Sequence, residues 1–163
     1  MCLNIELSHE EAERLLYTIP DIFVGWKIGR YYPKKLELIS LIQWYYWNEG
    51  VNKETDHPLS SFRRNYPEFG IYAFAKKTPA ELFLYTPDSV IFPVIIKKEN
   101  IKKIGYEELD RVKYLTFICS EVEFSYSFLR DYGLAKKAVE AQLSRTVSGS
   151  IKDQLELCEM KGK

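Results

Sequence analysis

The sequence predicts a single α+β domain, a mostly antiparallel sheet with an N-terminal helix and C-terminal helices. Three observations predict it. Short β-branched and aromatic runs, such as residues 22–28 (IFVGWKI) and 90–96 (VIFPVII), are bounded by turn residues. Helix periodicity marks residues 10–18 near the start and 131–144 near the end. The chain has 163 residues, 46% hydrophobic and 28% charged, enough for one domain with its own core.

Taken in order, Ser8-His9-Glu10-Glu11 reads as a capping box, in which Ser8 accepts from a backbone N–H three residues on and Glu11 reaches back. Leu15, Leu16 and Ile19 supply an apolar stripe, so a helix is expected over 10–18, ended before Pro20. Residues 22–28 read as a strand, and Gly29 to Pro33 as the turn out of it. Residues 36–47 (LELISLIQWYYW) fit a helix passing into a strand. Residues 48–65 read as a long loop, of a length more often functional than idle. Residues 70–74 form a strand. A helix start follows, with Thr78 as cap, Pro79 at the first position and Glu81 at the third.

Residues 90–96 read as a buried strand, with Pro93 marking an edge or a bulge. Turns are expected at 97–103 and 107–111, with a strand at 114–119 and an alternating segment at 122–126 that continues or pairs with it. A helix covers 131–144. Residues 1–145 are therefore one α+β domain. Residues 146–163 are a flexible joint (TVSGS) and a short amphipathic C-terminal helix.

Composition narrows function. No apolar run is long enough to span a bilayer, and the N-terminus lacks the order of a signal peptide. Cys2, Cys119 and Cys158 are odd in number and widely spaced, as reduced thiols of a cytoplasmic protein would be. Two histidines exclude a His-rich metal cluster, and neither a metal nor a cofactor is called for. Net charge is zero, yet residues 26–103 carry thirteen bases and eight acids. That favours a local anion site over a surface that coats nucleic acid.

The chemistry concentrates in residues 69–86 (FGIYAFAKKTPAELFLYT). A glycine before a strand allows close approach of a ligand. Tyr72 offers a flat ring, and Lys76-Lys77 precede a helix N-terminus, which favours anions. Trp26 and Tyr72 are candidates to line a ring. Lys27, Arg30, Arg63, Arg64 and Lys76 are candidates for phosphates, since guanidinium forks suit oxyanions. The competing reading is that these rings fill a core and the cations are solvated. Trp44-Tyr45-Tyr46-Trp47 could stack nucleic-acid bases but more often is core. Cys2 would become an N-terminal nucleophile if Met1 were removed, but no partner for it can be named.

Gly70-Ile71-Tyr72, with Ala80 eight residues beyond the tyrosine, resembles the central motif of ADP-ribosyltransferases of the poly(ADP-ribose) polymerase type. The resemblance implies that Tyr72 lies against the nicotinamide ring of NAD. Two other family elements differ. The first strand reads Gly25-Trp26-Lys27-Ile28-Gly29-Arg30, with no histidine, and Arg111-Val112-Lys113 stands where a catalytic glutamate would open the last strand. A second likeness covers more of the chain. The Met-Cys-Leu opening, Trp26-Lys27 and the central Gly-aromatic-Phe strand are similar to small uncharacterised phage-encoded proteins, which implies a viral accessory role.

The expected function is non-catalytic binding of a phosphate-bearing nucleotide of the ADP-ribose or NAD kind, in a phage counter-defence protein, with no catalytic residue assigned. One alternative is an ADP-ribosyltransferase-like enzyme that uses Glu121 or Glu123. Another is an inhibitor that binds a host defence protein. Partners are thus a small nucleotide or a host protein, with self-association open.

Overall fold

The computed structural model describes residues 5–40, 46–54, 70–82 and 86–145. Nine strands form one sheet: β1 (Ile5–Glu6), β2 (Ile22–Tyr32), β3 (Glu37–Ser40), β4 (Gly50–Lys53), β5 (Ile71–Phe74), β6 (Ser89–Lys97), β7 (Ile101–Leu109), β8 (Val112–Cys119) and β9 (Glu121–Phe124). The spatial order is β1-β7-β8-β5-β2-β6-β9-β4, with β3 added beside β2. Each pairing is antiparallel. With helices α1 (His9–Thr18), α2 (Lys77–Glu81) and α3 (133–145), this is the expected single-domain α+β class.

The capping box closes α1 as read: Glu11 N–H donates to Ser8 Oγ and Ser8 N–H to Glu11 Oε2, each at 3.2 Å. At its other end the Lys98 ammonium donates to the carbonyls of Leu16 and Ile19, at 2.9 and 3.0 Å. A cation there offsets the negative end of the helix dipole and satisfies carbonyls the helix leaves open.

β2 is the spine. It pairs with β6 from Ile22 to Arg30. It continues through Gly29 to Tyr32, where the sequence suggested a turn, and the reversal falls at residues 33–36 instead. On its other edge β2 meets β5 at one pair only, Trp26 with Phe74. The strands then diverge, and from Gly29 that edge is taken over by β3. The sheet is forked there. Ser40 and the residues before it are extended, not helical as expected for 36–47; pairing with β2 outweighs the helical spacing of Leu38, Ile39 and Ile42. Residues 41–45 lie outside the described residues.

Gly29 permits the fork. A Cβ there would sit 2.7 Å from the Ile39 carbonyl oxygen, on backbone that cannot swing aside. Gly29→Ala is expected to lower the urea midpoint substantially, by the 1–3 kcal/mol of an overpacked interior site. An unchanged midpoint would mean that β3 is not held at this spacing.

Other boundaries also moved. Gly50–Lys53, read as loop, is a strand against β9. Lys97–Lys103, read as a turn, holds only the 3-10 turn Lys98–Asn100 before β7 begins. Glu107–Leu109 belongs to β7, so the turn shrinks to Asp110-Arg111, both at positive φ (49° and 68°). Two such residues make the tight hairpin whose twist matches its strands, although Asn-Gly is its usual signature. The α2 cap is Lys76, not Thr78, and Pro79 is the third helical residue. Pro93 pairs with Trp26 where β6 has not yet met β9, which it joins only at Ile95. A residue with no N–H is tolerated on that locally open edge.

The main core centres on Phe92, Val94, Ile96, Phe117 and Phe124, with Ala135 and Val139 of α3 packed into it. A smaller cluster, Ile28, Phe74, Ala80 and Ile91, lies under α2, with Trp26, Leu109 and Tyr114 around it. No helix of the described residues is long and apolar enough to cross a membrane. The predicted joint and helix beyond 145 lie outside the described residues.

Candidate functional site

Side chains alternate along a strand, so Trp26, Ile28 and Arg30 share one face of β2 while Lys27 points to the other. Trp26 and Lys27, grouped by the sequence, do not share a surface. Trp26 is half-buried and meets the Tyr132 ring edge-on at 5.4 Å. Tyr72 is half-buried on the Trp26 side, two residues from Phe74. Arg30 is half-buried on that side too, and its Nε is buried with no hydrogen-bond partner among the described residues. The Thr86 hydroxyl, helped by Tyr32 and Arg30, holds the Asp88 carboxyl below its usual range. Lys76 is exposed at the start of α2 and its side chain makes no cap hydrogen bond. Arg63 and Arg64 lie outside the described residues.

Lys27 is in the core. Its ammonium fills the fork, donating to the Tyr72 carbonyl where β5 has left β2, and it stands 5.6 Å from the Trp47 ring centroid. Burial lowers its pKa from 10.5 to about 8, against a smaller opposing effect of Cys119. The same burial pushes the Cys119 thiol up to about 12, with Lys27 pulling it back. Lys27 satisfies a carbonyl and is enclosed; it does not face solvent as a phosphate clamp would.

The next lysine, unlike Lys76, has ring partners among the described residues. Lys77 Nζ lies 5.0 Å from the Tyr132 ring centroid and 6.0 Å from that of Trp26, both within cation–π range. Its ion pair with Glu81 is long, at 3.8 Å.

Tyr132 leads to a cavity that no sequence pattern announced. It holds about 630 Å³, within the range of small-molecule sites. It lies beside the N-terminal half of β6, where β9 has not yet joined, and the 3-10 turn Tyr126–Leu129 closes it. Three rings wall it: Tyr31 from β2, Tyr126 from the 3-10 turn and Tyr132 from the start of α3. The Tyr132 hydroxyl donates to the Ile91 carbonyl at 3.0 Å, taking the place of a strand partner. The Tyr126 hydroxyl donates to the Trp47 carbonyl at 2.8 Å and receives the Leu38 N–H at 3.4 Å. Burial raises the Tyr126 pKa; the Leu38 bond opposes this, and Tyr31, Glu49 and Glu37 add to the rise.

Two charges line the same cavity. Glu49 Oε2 accepts from the Tyr126 N–H at 2.8 Å, which ties the carboxylate to the entry of the 3-10 turn. Arg130 follows the turn's last residue, and its guanidinium makes no ion pair or hydrogen bond with the described residues. The cavity is thus lined by an acidic residue, a basic residue and three tyrosines, with Glu49 and Arg130 both exposed. Among the described residues no group of three or more His, Cys, Asp or Glu is placed to hold a metal ion.

Tyr126, Arg130 and Tyr132 lie within seven consecutive residues just past the last strand, which is the signal in the sequence that could have drawn attention to them. Neither a protein-family model, nor a curated protein, nor a solved structure matches this chain.

Proposed function

We propose that the chain is a non-catalytic binder of a phosphate-bearing nucleotide, seated in the cavity of Tyr31, Tyr126 and Tyr132. The observation that carries this reading is that aromatic walls share the cavity with Arg130, whose guanidinium has no partner among the described residues. Flat rings suit a base, and a guanidinium fork suits a phosphate. Lys77, 5.0 Å from the Tyr132 ring centroid, adds a second cation for an extended ligand. Of the rings singled out in the sequence, Trp26 would flank this path through Tyr132, and neither it nor Tyr72 lines the cavity. ADP-ribose is the ligand the transferase resemblance implies, and sequestering a defence signal is the role the phage-protein resemblance implies.

Binding is tested by isothermal titration of the full chain with nucleoside mono- and diphosphates and with the matching nucleosides. Phosphate-bearing ligands are expected to bind tighter than the nucleosides. Arg130→Ala should weaken the nucleotides about tenfold or more, the loss of one charge-assisted hydrogen bond. It should leave nucleoside binding unchanged. Equal weakening of both classes would place the phosphate elsewhere, and no binding of any nucleotide would remove the reading.

A further inference from the structure

We infer that Leu36, in the turn between β2 and β3, is the residue that covers the base of the bound nucleotide. The inference rests on the nucleotide reading above and adds a ligand-contacting residue to it.

The turn occupies residues 33–36, between the paired Tyr32 and Glu37. Within it the Lys35 N–H donates to the Tyr32 carbonyl at 3.1 Å, and the Leu36 N–H to the Pro33 carbonyl at 3.3 Å. The turn ends with Leu36 in the left-handed region, at φ 52°. Glycine or asparagine ordinarily fills such a position, because the Cβ of a larger residue crowds the backbone there. Asp110 and Arg111, the other non-glycine residues at positive φ among those described, are polar and form a hairpin tip. Leu36 is apolar and 66% exposed, so burial in the core does not offset the cost of its backbone. Its side chain lines the cavity instead, along with Tyr31 from the strand that leads into the turn. The hairpin is tied to the 3-10 turn that closes the cavity: the Leu38 N–H, two residues on, donates to the Tyr126 hydroxyl at 3.4 Å. A costly backbone conformation held at a cavity points to a role in binding. Chemistry chooses the part of the ligand. Leucine gains by removing the face of a base from water, and its CH groups have nothing to offer a phosphate.

The test compares the unaltered full chain with Leu36→Asn and Leu36→Met. Each is unfolded in urea and titrated with AMP and GMP, with their nucleosides, and with ribose 5-phosphate, which lacks a base. Asparagine tolerates positive φ, so Leu36→Asn should keep or raise the urea midpoint. It should weaken the nucleotides and the nucleosides alike, by about fivefold, the loss of part of a leucine's burial. Ribose 5-phosphate should bind it unchanged. Leu36→Met keeps an apolar side chain and should bind nucleotides as the unaltered chain does. A lower midpoint for Leu36→Asn would show that the fold itself holds the leucine in place, and would overturn the inference. Unchanged nucleotide and nucleoside binding by that variant would overturn it too and leave the nucleotide reading standing, as would an equal loss of ribose 5-phosphate. If the unaltered chain binds no nucleotide, the nucleotide reading itself fails and this inference falls with it.

Discussion

Replacing Phe124 by alanine is expected to destabilise the domain by about 3–5 kcal/mol, the cost of removing a buried ring from a packed core. The size follows from its neighbours. The Phe124 ring meets Phe92 at 5.2 Å, Tyr126 at 5.2 Å, Trp47 at 5.7 Å and Phe128 at 6.3 Å, all edge to face. Phe124 is 1% exposed, so its loss leaves a void that water does not fill cheaply. Two of the four neighbours, Tyr126 and Phe128, belong to the 3-10 turn that closes the cavity. The void therefore opens beneath the cavity, and the nucleotide binding proposed above should weaken along with the urea midpoint. Tyr17→Ala, at a side chain that is 90% exposed, is the control and should move neither. A Phe124→Ala chain with a near-normal midpoint would mean that the ring cluster contributes little.

Lys27 gives the second large effect, and it appears as a dependence on pH. Its pKa falls from 10.5 in the unfolded chain to about 8 in the folded one. Between these values the unfolded chain binds the extra proton, so stability rises with pH across that window. Below about 8 the ammonium is charged in both states and its burial costs the full amount, about 3 kcal/mol for a shift of this size. Wild-type stability should thus gain about that much from Lys27 between pH 8 and 10.5, superimposed on other titrations. Lys27→Met has no proton to release and should lack this increment. At pH 7 the methionine avoids the buried charge but leaves the Tyr72 carbonyl without its donor, a loss of about 1–3 kcal/mol, so the two effects nearly offset. Denaturant titrations of both proteins at pH 7 and at pH 10 check this. Parallel curves would show that Lys27 is not buried as an ammonium.

The architecture was legible where local signals agreed. Ser8 and Glu11 announced α1 because the capping box is closed within four residues. The runs in β2, β6 and β8 were legible because burial on both faces leaves few polar interruptions. The fork was not, since it arises where β5, distant in sequence, leaves β2 and the neighbouring β3 takes over that edge. For the same reason Lys27 read as a surface cation: nothing local tells a solvated lysine from one that completes a broken ladder. Lys76 and Lys77 are adjacent and chemically alike, and only the packing of α2 places the second over two rings. The cavity joins β2, β6 and the segment after β9, three regions that no spacing rule connects.

The strand order carries a consequence for when the domain can form. β1 pairs with β7, β5 with β8, and β4 with β9, so three strands from the first half of the chain wait for partners from the second. A ribosome making this chain must release the segment through Phe124 before the outer strand β4 has anything to pair with. Until then Val51 and the unpaired edges of β2 and β5 stand open to other chains, the situation in which nascent sheets aggregate. Folding should therefore follow synthesis rather than accompany it. The yield of native protein would then depend on the chaperones that hold the first half while the second is made.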